Sequence, residues 1–174
     1  MSTIFELIDA SDIDGIRAAL AENPAAAAAH DEKGLTAVMR AAYRGRDVLE
    51  AVCAADPPLE PFDRIVVGES DGLPAPDAWT PDGFTPLHIA AFAHNAEATR
   101  KLLTAGANPN VLATSSFARV TPLGTCAFAG ANDVARLLLA HGADPTLTAD
   151  HGFTPLDSAL ANGNDELAAL LRNA

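Results

Sequence analysis

Five histidines, His30, His88, His94, His141 and His151, stand among 23 aspartates and glutamates. Imidazole beside carboxylate is the raw material of metal ligation and of proton transfer. The spacing supports neither. No two histidines are four residues apart, the interval that sets two ligands on one helical face, and His94 and His151 could meet only through folding. Asp63, Glu69, Asp71 and Asp77, and separately Asp144 and Asp150, fall in turn-like stretches where aspartate commonly binds local backbone, so they read as a solvated acidic face. Ser115 and Ser116 lack the GxSxG elbow of a nucleophilic serine, and neither a phosphate loop nor GxGxxG occurs. Cys53 and Cys126 have no CxxC partner and read as small buried hydrophobes rather than a disulfide framework. We therefore expect no catalytic residue, no metal and no cofactor.

The elements that would position these side chains are legible from one motif. His88 lies inside TPLHIAA at 85–91, and the pattern returns in weaker form as TAVMRAA from Thr36, TPLGTCA from Thr121 and TPLDSAL from Thr154. The intervals are 49, 36 and 33 residues, so two fall near one period and the first overshoots it by about half a unit. Threonine caps a helix, proline takes the first helical position where its missing N–H does no harm, and leucine opens the buried face. A second helical segment follows, over 97–104 and 133–141, closed by Gly-Ala-Asn-Pro at 106–109 and Gly-Ala-Asp-Pro at 142–145. Gly106 and Gly142 suit the left-handed residue past a helix end, and the proline forbids continuation.

With GFTPLHIAA, GANPN, LLLAHGADP and HGFTPL in hand, the chain resembles the ankyrin repeat, a turn followed by two antiparallel helices. The resemblance covers nearly the whole chain. It implies an all-α solenoid of about five stacked helix-turn-helix units including caps, plus one degenerate unit or long insertion. It also implies that His88 bonds backbone groups of a neighbouring turn, and that partners are gripped by turn tips and by the exposed ends of first helices.

As one repeat domain over 1–174, the expected divisions are an N-terminal cap at 1–30, a repeat at 31–55, an insertion or degenerate repeat at 56–81, repeats at 82–117 and 118–150, and a C-terminal cap at 151–174. Glu6, Asp9, Asp12, Asp14 and Arg17 form the polar outer face that a terminal unit needs. The alanines at 25–29 read as a filler turn. Within the Pro-rich segment 56–81, Phe62-Asp63-Arg64-Ile65 echoes Phe5-Glu6-Leu7-Ile8, which suggests a unit that kept its first helix and lost most of its second. Arg119 stands where other units have the turn glycine, after a loop three residues longer than its counterparts.

Net charge is −12, with two lysines and nine arginines, which argues against binding a phosphate backbone and favours a partner with a basic surface. No apolar run approaches the ~20 residues that span a bilayer, and no basic-then-apolar leader opens the chain, so a cytoplasmic protein without membrane contact is expected. A monomer is the expected state. Abundant alanine and arginine in preference to lysine resemble products of GC-rich bacterial genomes.

Seven of the nine aromatic side chains, Tyr43, Trp79, Phe84, Phe92, Phe117, Phe128 and Phe153, lie at or beside the expected binding face, together with Arg44. Phe92 and Phe128 occupy equivalent places one unit apart and would form a row. Aromatic anchors ringed by polar residues are the usual composition of a binding hot spot. The expected function is non-catalytic recognition of a partner protein, as an accessory or regulatory factor. Two alternatives stand beside it: a small-molecule or metal site built on 56–81, recognisable by His94 or His151 converging with a carboxylate, and a self-associating scaffold. Phe84 and Phe153 also admit a plainer role, packing against adjacent turns.

Overall fold

The computed structural model describes residues 2–174, the side chain of residue 151 excepted. Among the described residues it holds eleven α-helices and no strand: α1 (Ile4–Asp9), α2 (Ile13–Glu22), α3 (Ala37–Arg44), α4 (Arg46–Cys53), α5 (Pro61–Val66), α6 (Pro86–Phe92), α7 (Ala96–Thr104), α8 (Pro122–Ala129), α9 (Asn132–Ala140), α10 (Pro155–Ala161) and α11 (Asp165–Arg172). The alanine run forms a short 3-10 turn, Pro24–Ala28. The chain divides into two compact units, Met1–Asp63 and Arg64–Ala174, a division that falls inside α5.

In the first unit, threonine starts both first helices. Thr3 Oγ accepts from the Glu6 amide at 3.2 Å while Glu6 Oε2 accepts from the Thr3 amide at 2.8 Å, and Thr36 Oγ accepts from the Met39 amide at 3.0 Å. Thr3 precedes Thr36 by 33 residues, so the period extends to the first helix, where TIFE lacks the proline that marks later units. α1 packs on α2 and α3, and α2 on α4, around Ile8, Ile16, Met39 and Val52.

The second unit repeats the device. Thr121 Oγ accepts from the Gly124 amide at 3.1 Å, and Thr154 and Asp157 cap each other reciprocally at 3.1 and 2.8 Å. Each first helix packs on its own second helix, and α6, α8 and α10 pack side by side in that order. Fully buried Ala90, Ala91, Cys126 and Ala127 line this contact, and small side chains permit close approach of the helices. Leu87, Leu102, Leu123, Leu138 and Leu167 fill the core between the helix layers.

Over 56–81 the only helix is α5, six residues long. Its start has the chemistry of the other first helices with a different residue: the Glu60 amide donates to Asp63 Oδ2 at 2.9 Å. No second helix follows it. The chain instead runs through turns held by the Asn95 amide group, whose Nδ2 donates to the carbonyls of Ile65 (3.1 Å) and Glu69 (2.8 Å). Lys101 Nζ pairs with Asp71 at 2.7 Å, and Arg64 with Glu69 at 2.7 Å.

Candidate protein-binding surface

Turn tips precede the first helices, and their geometry depends on glycine where φ is positive. Gly34, Gly83 and Gly152 have φ of 88°, 91° and 76°. Gly83 is doubly constrained, because a Cβ there would lie 2.6 Å from the Ser115 backbone nitrogen. Arg119, at the equivalent place, is not among the residues of positive φ; the longer loop before it carries the chain round without that conformation.

This longer loop delivers Phe117 onto Phe84, with ring centroids 5.6 Å apart and planes tilted by 59°. Phe84 in turn meets the His88 ring at 5.8 Å. Phe84 is therefore buried, 8% exposed, and is a core residue of its turn, the plainer of the two roles the sequence allowed, rather than a surface anchor. Phe117 remains 70% exposed on top of it.

His88 is fully spoken for. Its Nδ1 accepts from the Thr85 amide (3.2 Å) and faces Thr85 Oγ at 2.7 Å, while Nε2 donates to the Val120 carbonyl at 2.9 Å. That set of partners requires the neutral ring protonated on Nε2. Burial pushes its pKa down to about 4, against the smaller opposing effect of the Val120 bond. The ring ties one unit to the turn of the next and has no free nitrogen for chemistry.

Phe92 and Phe128 both stand seven residues after the threonine that starts their helix, on the neighbouring helices α6 and α8. Phe92 is half-buried and Phe128 70% exposed. Phe128 directly follows a run of seven buried residues beginning at Thr121, so the helix turns one large apolar side chain outward at its very end. Phe153, Leu160 and Trp79 are also exposed, by 54%, 46% and 43%. The ring contacts above do not include Trp79 or Phe153.

Tyr43, in the first unit, holds the same position after Thr36 and is half-buried. Arg44 is not the free cation of an open face: its Nη2 and Nε bond Asp9 Oδ1 at 2.8 and 3.2 Å. Hydrogen bonds from Arg40 first, and from Arg44, hold the Asp9 carboxyl down at about 2.

Of the two cysteines, Cys126 is buried and Cys53 only half-buried, so the expectation of burial holds fully for one. Burial raises both thiol pKa values, and Asp63 adds to the effect at Cys53. Asp63, read from sequence as part of a solvated acidic face, is 1% exposed. It accepts from Thr36 Oγ at 2.5 Å as well as from the Glu60 amide, and burial raises its pKa above the usual carboxylate range despite these bonds.

An open groove of about 290 Å³ is lined by His94, Asn132, Asp133, Arg136 and Glu166 among others. His94 shares this groove with the carboxylates of Asp133 and Glu166, but no residue of 56–81 lines it, and His94 bonds backbone while the carboxylates bond their neighbours. His94 Nε2 donates to the Ala129 carbonyl at 2.9 Å, Arg136 pairs with Glu166 and with Asp133, and Asn132 Nδ2 donates to Glu166. Among the described residues no group of three or more His, Cys, Asp or Glu is arranged to hold a metal ion. The side chain of His151 lies outside the described residues.

Two residues that position this surface escaped the sequence reading. Asn95 caps α7 through Oδ1, which accepts from the Ala98 amide at 2.9 Å, while its amide group holds 65–69. Asn164 caps α11 in the same way, and both asparagines stand ten residues after a helix-starting threonine, a recurrence that could have singled them out. Asp63 could have been found from EPFD at 60–63, which stands in the place of TPLD at 154–157.

No helix of the described residues is long and apolar enough to cross a membrane. No curated protein matches the chain. A family model described as "Ankyrin repeats (3 copies)" matches residues 7–113, and a second, "Ankyrin repeats (many copies)", matches residues 124–172. With capped helix pairs recurring through both matched regions, the chain belongs to the ankyrin repeat family.

Proposed function

We propose that this protein is a non-catalytic recognition module that binds a partner protein through the first-helix face of its second unit, as an accessory or regulatory factor in the bacterial cytoplasm. The observation that carries this reading is Phe128: a large apolar side chain, 70% exposed, in register with Phe92 on the adjacent helix. Exposed aromatics on a rigid packed scaffold lose little entropy on binding, which makes them effective anchors. Ankyrin repeats generally serve as protein interaction modules, and the family membership supports the same reading.

A partner with a basic surface fits the electrostatics. In the second unit Arg64, Arg100, Lys101, Arg119 and Arg136 each pair with a carboxylate of the same unit. The net charge of −12 leaves acidic groups in surplus, so cationic partners are steered inward and nucleic acid is repelled. Affinity capture from the native host tests the reading, with wild type beside a Phe92→Ala, Phe128→Ala double variant. Specific proteins should be recovered with wild type alone; equal recovery with both would remove this face from the function.

A further inference from the structure

The chemistry of the partner segment follows from the pitch and charge of the Phe92–Phe128 row, given the reading above that this row is the binding face. We propose that its occupant is an amphipathic α-helix of the partner protein, with apolar anchors at i and i+7 and lysine or arginine on its flanks.

The pitch argument compares repeat lengths. Phe92 and Phe128 stand at one register position on packed neighbouring helices, so they recur at the interhelical spacing, about 8–10 Å. In an α-helix, seven residues advance about 10.5 Å and return to within about 20° of the same face. One helical anchor per ankyrin unit therefore matches. An extended strand returns to the same face every second residue, at about 6.6 and 13 Å, and straddles the row. A strand would also want a sheet edge to pair with, and the described residues contain no strand.

The charge argument concerns the helices that form the face. α6 (PLHIAAF), α8 (PLGTCAFA) and α10 (PLDSALA) contain no lysine or arginine, and their one carboxylate is Asp157. Five of the unit's six cations, Arg64, Arg100, Lys101, Arg119 and Arg136, are held in ion pairs elsewhere in the unit, and the sixth, Arg172, ends the second helix α11. An acidic helix would find no lysine or arginine on these three helices to meet it. A helix with cationic flanks meets an apolar floor on a unit whose 11 carboxylates outnumber its six cations.

Labelled model peptides of about 18 residues, five helical turns, provide the test with the full chain. The first carries leucine in helical periodicity on a lysine background, the second the same residues in strict alternation, and the third leucine in helical periodicity on glutamate. Fluorescence anisotropy should show the first peptide binding wild type roughly tenfold more tightly than either of the others. Phe128→Ala should weaken it by a similar factor, and Phe128→Leu should restore most of the loss. If the alternating or the glutamate peptide binds best, or if Phe128→Ala leaves the first peptide unchanged, the helix assignment is wrong. Should host-protein capture still depend on Phe128 in that event, the binding face stands and only its occupant changes; if capture is also indifferent, both readings fail together.

Discussion

His88 Nε2 lies 2.9 Å from the Val120 carbonyl oxygen, thirty-two residues along the chain; this bond sets the tautomer of the imidazole, and burial keeps the ring neutral. With a folded pKa of about 4 against 6.5 for the free ring, the unfolded chain binds the extra proton between those values. The contribution of His88 is thus fully present above pH 6.5 and is lost as pH falls towards 4, by about 3 kcal/mol in total. Urea unfolding at a series of pH values should show this slope in wild type and its absence in His88→Gln. Equal slopes would mean that the ring is protonated in the fold.

Asn95 is satisfied on both sides of its amide, and truncation strands all three partners. Asn95→Ala should destabilise the chain by about 2–4 kcal/mol, since the buried carbonyl of Ile65 and the part-buried one of Glu69 lose their donor and α7 loses its cap. Hydrogen exchange should show the loss first around 65–72. A change below about 0.5 kcal/mol would mean that water replaces the side chain without cost.

His94 has φ of 55°, whereas Gly45, Gly130 and Gly163, at the same distance after their helix-starting threonines, take 126°, 79° and 67°. Alanine there keeps the strained backbone and loses the bond to Ala129, while glycine loses the bond and relieves the strain. His94→Gly should therefore be more stable than His94→Ala by about 1 kcal/mol, read as a difference in denaturation midpoints.

Gly83 and Gly106 have similar φ, 91° and 93°, but only Gly83 faces backbone at 2.6 Å, and nothing lies within 4 Å of a Cβ at Gly106. Gly106→Ala should cost about 1 kcal/mol for strain alone, and Gly83→Ala clearly more, because the 114–115 backbone must move. Thermal melts of the two variants would separate strain from clash; equal costs would show that the clash relaxes freely.

Phe84 and Phe128 are the same residue type, and the expected advantage of Phe128 as an anchor rested on register alone; burial divides them. Phe84→Ala should cost about 3 kcal/mol through the cavity it leaves, while Phe128→Ala should stay within about 0.5 kcal/mol and act on binding. A Phe128→Ala variant as unstable as Phe84→Ala would make that ring structural.

Much of the fold was readable because the code for a capped helix is local. Thr36, Thr85, Thr121 and Thr154 each precede a first helix, and Gly106 and Gly142 end second helices with φ of 93° and 84°, since caps need only the few residues around them. The Thr3 unit was harder to see because proline is absent from it, though its capping box is complete. The candidate surface was half legible. Register alone paired Phe92 with Phe128, but it could not tell that Phe84 lies beneath Phe117, nor that Arg44 is spent on Asp9.

The sequence by itself determined the period, the helix starts and stops, and the alternation of apolar and polar positions, because these rest on backbone chemistry within one or two turns. Tertiary structure decided which aromatics are anchors and which are core, that Asp63 is buried against Thr36, and that Asn95 holds the chain where a second helix is missing. Each of those contacts joins residues 26 or more positions apart, and separations of that length acquire a distance only when the helices pack.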